Sequence, residues 1–159
     1  MSDSGTLDRA QSRVASFGFP LPDAPKNKDL DWPSNVADLG SQELAEHMTW
    51  CTGWANFARY ELANAETNLA AFTAEYKFLM NDRLSKSSGD RKSVTEKKAE
   101  IGRMPDLQKI EQRVLQADAE TKLLKALLES YEKKYQTISR EITRRGADFD
   151  EDGRDRFNA

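Results

Sequence analysis

The sequence predicts an all-α protein: a long antiparallel helical hairpin, coiled coil in character, that assembles with copies of itself into a bundle or ring. Three observations carry this expectation. Apolar residues recur in two long seams at alternating steps of three and four. A Ser- and Gly-containing stretch, SKSSGDRKS (85–93), separates the seams. Hydrophobic content is 38% against 32% charged, too polar for a thick core and suited to helices that bury a narrow stripe.

Residues 1–40 read as an N-terminal arm. Pro20, Pro22, Pro25 and Pro33 punctuate it, and proline stops helix propagation while favouring extended backbone. The arm is expected to be extended or disordered, or to dock through Phe17, Phe19 and Trp32 on its own hairpin or on a neighbouring subunit.

The hairpin is expected over 41–146. Its first helix runs from about Ser41, taken as N-cap, to about Lys86. The seam there is Leu44, Met48, Cys51, Ala55, Ala58, Leu62, Ala65, Leu69, Phe72, Tyr76 and Leu79. Gly53 costs roughly 1 kcal/mol relative to Ala inside a helix and is read as making room for the flanking tryptophans. SVTEKKAEI (93–101) predicts a short helical piece. Pro105 suits the first turn of the second long helix, whose seam is Leu107, Ile110, Val114, Ala117, Thr121, Leu124, Leu128, Tyr131, Tyr135, Ile138 and Ile142. At about 1.5 Å per residue each arm spans roughly 60 Å. Gly146 is the expected stop, and 147–159 the acidic, disordered tail.

The seams leave apolar residues over. Trp50, Trp54 and Phe57 lie outside the first seam, as do Phe78 on the first helix and Leu123 and Leu127 on the second. Exposed apolar rows mark interfaces, so Trp50, Trp54, Phe57, Leu123 and Leu127 are the predicted oligomer or partner contacts. An antiparallel register also brings Trp50, Trp54 and His47 to one end with Tyr135, Arg140, Arg144 and Arg145. Rings beside guanidinium groups suit single-stranded nucleic acid; packing is the alternative role for these aromatics, and the helix dipole an alternative reason for terminal arginines.

With a formal net charge of -3, any nucleic-acid surface must be local. The turn at 85–105 and its flanks concentrate such charge. Lys77, Arg83, Lys86, Arg91, Lys92, Lys97 and Lys98 are the candidate phosphate contacts, with Ser85, Ser87, Ser88 and Gly89 supplying hydroxyls and backbone amides. An ordinary solvated turn is the alternative. A ring of copies would multiply a modest excess of charge.

Catalytic patterns are missing from the sequence. One His and one Cys do not make a zinc cluster, no phosphate-binding glycine loop is present, and no cofactor is implied. DFDEDG (148–153) opens like a calcium loop, but its twelfth position is Ala159, where a bidentate Glu is needed. The single Cys51 excludes an internal disulfide and fits a reducing compartment. MSDSGTLDRAQSR carries no signal-peptide run, and no stretch is apolar enough for a bilayer. The expectation is a non-enzymatic cytoplasmic protein, in the host cytoplasm if viral, with no membrane contact.

KFLMNDRLSKSSG (77–89) resembles a stretch of the UvsY-type recombination mediators of phages, in which a helix ends in basic residues followed by a Ser-Gly turn. Lys77, Arg83, Leu84, Ser88 and Gly89 fit that pattern; Asn81 stands where it has a second basic residue. The likeness extends through SREITRRG (139–146) and so covers about 77–146, while the Pro-containing arm has no counterpart. It implies a small helical oligomer that binds single-stranded DNA and helps a recombinase replace single-strand-binding protein. The alternative function is an oligomeric structural or interaction protein, such as a virion or assembly component or an inhibitor of a host protein, acting through the arm and the aromatic stripe.

Overall fold

The computed structural model describes residues 4–26, 30–87 and 93–157, with 149–157 as backbone. It is all-helical, with no strand among the described residues. Helix α1 spans Ser4–Ser16, α2 Ser41–Lys86, α3 Val94–Gly102 and α4 Pro105–Phe157; a single 3-10 turn covers Val36–Asp38. The residues form two compact units, one from Met1–Leu21 and Glu61–Leu124, the other from Pro22–Tyr60 and Lys125–Ala159.

Local sequence explains the boundaries. Helix α1 falls in the part of the arm that precedes every proline, which corrects the extended arm expected over 1–40. It ends as Phe17 and Gly18 donate their N–H groups to the Val14 and Ala15 carbonyls at 3.1 and 2.9 Å. Gly18 takes φ +82, the left-handed cap that glycine enters without a Cβ clash.

At the start of α2 the cap is Gly40, whose carbonyl receives the Leu44 N–H, so Ser41 is the first helical residue. The Glu43 carboxylate accepts from the Gly40 N–H at 2.7 Å and satisfies one of the donors a helix start leaves over. Helix α3 begins with a reciprocal capping box between Ser93 and Glu96. Pro105 opens α4, where its missing N–H is not needed.

In the first unit, Ala65 of α2, Ile101 of α3 and Leu107, Ile110 and Ala117 of α4 are buried. Arg83 pairs with Asp106 at 2.9 Å and Glu75 with Arg113 at 3.5 Å. As the α2 position falls, the α4 position rises, so the helices run in opposite directions there. The Arg113 guanidinium also lies 4.0 Å from the Phe72 ring centroid. Helix α1 joins α2 through Gln11 and Asn64 at 3.3 Å.

The second unit buries Leu44, Cys51 and Ile138 as one cluster, with Trp32, Val36, Leu39, Met48 and Trp50 against it. Full burial of Leu44 and Ile138 contributes about 2 kcal/mol each. The arm segment 32–39 therefore packs on its own chain. Pro25 reaches Gly53, its Cγ 3.4 Å from where a Cβ would stand, so the arm occupies the space beside Gly53 that the sequence assigned to the tryptophans. Opposite direction again relates the helices, with Arg59 paired to Glu132 at 2.7 Å and Leu44 clustered with Ile138.

Two further expectations are corrected. Helix α4 does not stop at Gly146 but continues to Phe157. Arg144 donates to Glu141 on one side of Gly146 and to Asp148 on the other, and these pairs help carry the helix across a position that costs roughly 1 kcal/mol. The second seam also slips in phase near its end. Tyr135 and Ile142 are exposed, and Lys134, Ile138, Glu141 and Arg145 face inward instead. The arm covers that side of α4: Lys134 Nζ stands 5.2 Å from the Trp32 ring centroid, and Arg145 donates to the Ala37 carbonyl.

Candidate nucleic-acid interface

The cationic candidates divide by what holds them. Arg83, Lys86 and Lys97 converge on one hollow of about 270 Å³, completed by Ser87, Glu100, Ile101 and Met104. The capping box that starts α3 and the turn before Pro105 position Lys97 and Met104 there. Each cation has an internal partner. Arg83 donates through Nη2 to Asp106, Lys86 reaches Asp82 at 2.7 Å one turn back, and Lys97 Nζ donates to the Ser87 carbonyl at 2.7 Å.

The Arg83 guanidinium holds the Asp106 carboxyl below its usual range, chiefly through the hydrogen bond. Arg83 Nε is buried without a hydrogen-bond partner. Lys77 and Lys98 are exposed and have no ion-pair partner among the described residues. Arg91 and Lys92, with Ser88 and Gly89, lie outside the described residues.

The aromatic stripe is placed differently from the expectation. Trp50 and Trp54 are half-buried, and their principal neighbour is Tyr131 of α4. Trp50 meets it edge-on at 5.4 Å, and Trp54 lies nearly parallel to it at 6.1 Å. Phe57 abuts Trp54 edge-on. Thus Trp50 and Trp54 are not left over by the fold: Tyr131 covers them within the chain.

The sequence reading missed Lys134. Its Nζ stands 5.2, 5.4 and 5.6 Å from the ring centroids of Trp32, Trp50 and Tyr131, a cation held among three π faces. Burial pushes the Tyr131 hydroxyl up from its ordinary value, and the Cys51 thiol likewise, with Lys134 partly opposing the rise at Cys51. Lys134 follows Tyr131 by three residues, a spacing that puts the two side chains on neighbouring positions of one helix face.

The other expected members of this end are spoken for. His47 is buried, with Nδ1 2.9 Å from the Glu43 carbonyl and Nε2 3.2 Å from the Asp31 carbonyl. Arg144 and Arg145 both donate to Glu141 and hold its carboxyl down to about 2. Arg145 also donates to the Ala37 carbonyl at 2.9 Å, tying the arm to α4. Arg140 alone of these arginines has no partner among the described residues.

Of the predicted interface leucines, Leu123 is 67% exposed in the first unit and Leu127 50% exposed in the second. Leu115 and Phe78, both in the first unit, are as open. Among the described residues no group of three or more His, Cys, Asp or Glu is placed to hold a metal ion, and no helix is long and apolar enough to cross a membrane. No protein-family model, curated protein or solved structure matches the chain.

Proposed function

We propose that this chain is a non-enzymatic, self-associating coiled-coil hairpin that binds single-stranded DNA and helps to load a recombinase in place of single-strand-binding protein. The observation that carries the DNA reading is the convergence of Arg83, Lys86 and Lys97 on one hollow, with Phe78 exposed on the same helix as two of them. Phe78 precedes Lys86 by eight residues, about 12 Å along the axis and about 80° around it. A free ring within one or two nucleotides of a cluster of cations suits stacking and phosphate contact together. Ion pairs to Asp82 and Asp106 lower the net charge, so affinity is modest per copy and rises through assembly. Exposed Leu115 and Leu123 are apolar surface for that assembly.

The test is anisotropy of labelled deoxythymidine oligomers at two salt concentrations, with molar mass measured alongside. Binding that weakens with salt, and falls further in K86A/K97A, supports the reading. An intact protein with no salt-sensitive binding sinks it.

A second reading, the structural or interaction protein, draws on one observation of its own. Phe17 and Phe19 of the arm are exposed on either side of Gly18, the cap that ends α1. Capture of a protein partner that depends on these two rings, without nucleic acid, would favour it.

A further inference from the structure

We propose that the hollow in the second unit between residues 32–37 and 137–144 seats one nucleotide of single-stranded DNA, its phosphate on Arg140 and its base against Trp32. This rests on the DNA-binding reading and adds a site to it. The hollow measures about 460 Å³, within the roughly 300–1,000 Å³ of small-ligand sites. One wall is the arm and the other is a face of α4.

The walls are built rather than loose. Asn35 caps the 3-10 turn, accepting from the Ala37 N–H at 3.2 Å and donating to Asp38 at 3.0 Å. Arg145 holds the Ala37 carbonyl, and Lys134 sits over the Trp32 ring, which also meets His47 edge-on.

Charge selects the ligand. Glu141 lines the hollow, but its carboxylate is taken by Arg144 and Arg145, and Asp148 is taken by Arg144. Arg140 lines the same space, and its guanidinium has no partner among the described residues. Of the two arginines that line the hollow, Arg144 is held by carboxylates and Arg140 has no carboxylate partner among the described residues. A phosphate accepts two parallel N–H bonds from such a fork, and Trp32 adds a ring for stacking, which a carboxylate side chain would not use. A nucleotide engages both features, whereas an acidic peptide engages only the arginine.

The experiment uses the full chain and labelled deoxythymidine oligomers over a range of salt. Arg140→Ala is expected to weaken binding about 5-fold and to reduce the salt slope by roughly 0.7, the share of one phosphate on a single strand. Tryptophan emission should be quenched on binding, and Trp32→Phe should remove part of that quench while Trp50 and Trp54 retain theirs. Unchanged affinity and slope in Arg140→Ala, with K86A/K97A still impaired, overturns this site and leaves the DNA reading standing. An Arg140-dependent complex with polyglutamate but not with DNA also overturns it. If the wild-type chain binds no oligomer at low salt, both readings fall together. Arg140 is exposed and has no partner among the described residues, so helix content in the variant is expected to match the wild type.

Discussion

Trp54 of α2 and Tyr131 of α4 lie 15° from parallel with their ring centroids 6.1 Å apart. Trp50 meets the same tyrosine edge-on at 5.4 Å. Such pairs contribute about 0.5–1.5 kcal/mol beyond the area they bury. Tyr131→Ala should therefore lower stability by about 2–3 kcal/mol, and Tyr131→Phe, which keeps the ring, by under about 1 kcal/mol. Urea denaturation followed by circular dichroism measures both. A loss for Tyr131→Ala below about 0.5 kcal/mol would mean that a second copy, not Tyr131, does most to cover these tryptophans.

Lys134 gives a second test at the same place. Its ammonium is close to three rings, while its stem lies along apolar surface. Lys134→Met keeps the stem and loses the cation, at about 1 kcal/mol. Lys134→Glu puts an anion against the negative faces of the rings and should cost more. Equal losses in the two variants would show that packing alone, without the cation, accounts for Lys134.

What the sequence made legible follows from how each feature is encoded. The two long helices and their buried positions Leu44, Cys51, Ala55, Ala58, Ala65, Leu107, Ile110, Ala117 and Ile138 are written in local apolar spacing, which a reader can count. Helix α3 was expected only as a short helical piece, and Ser93 and Glu96, at capping-box separation, are the local signal that fixes its start. Helix α1 was hidden by treating the arm as one segment, although its four prolines all follow the helix. The hidden members of the second unit were set by packing. Trp32 comes from a segment without periodicity, and Lys134 enters through a one-residue phase slip that a strict heptad does not contain. Arg140 was named for the right end of the chain. That it has no partner among the described residues while Arg144 and Arg145 are engaged depends on Glu141 and Asp148, which spacing alone did not single out.

Gly146 separates two pictures of α4. Inside a helix with no atom within 4 Å of an added Cβ, Gly146→Ala should raise stability by about 0.5–1 kcal/mol. At a left-handed stop the same change would be destabilising. The thermal midpoint and the helical signal should both rise. A lower midpoint would restore the stop that the sequence suggested.

Cys51 reports on the opening of the second unit. The thiolate is the reactive form, and burial pushes this thiol up while Lys134 offsets only part of the rise. At neutral pH the native chain should react with a disulfide reagent at least ~100-fold more slowly than the chain in urea, because reaction waits on local opening. Trp50→Ala, which removes a ring packed against the cluster that holds Cys51, should speed the native reaction. Rapid labelling of the native protein would contradict the buried placement.

Glu141 sets the acid limit of the tie between arm and α4. Arg144 and Arg145 hydrogen-bond its carboxylate and hold it at about 2, against an ordinary value of 4.5. A carboxyl depressed in the folded state stabilises the fold fully above its unfolded value, and that contribution is lost as pH falls through the folded value. The wild-type thermal midpoint should thus decline as pH falls from about 4.5 toward about 2. Glu141→Gln has no carboxyl to titrate and should give a flatter profile over that interval from a lower starting midpoint. Because Arg145 also donates to the Ala37 carbonyl, Trp32 emission should change over the same interval in the wild type. Matching profiles for wild type and Glu141→Gln would place the acid sensitivity on another carboxylate and separate Glu141 from the docking of the arm.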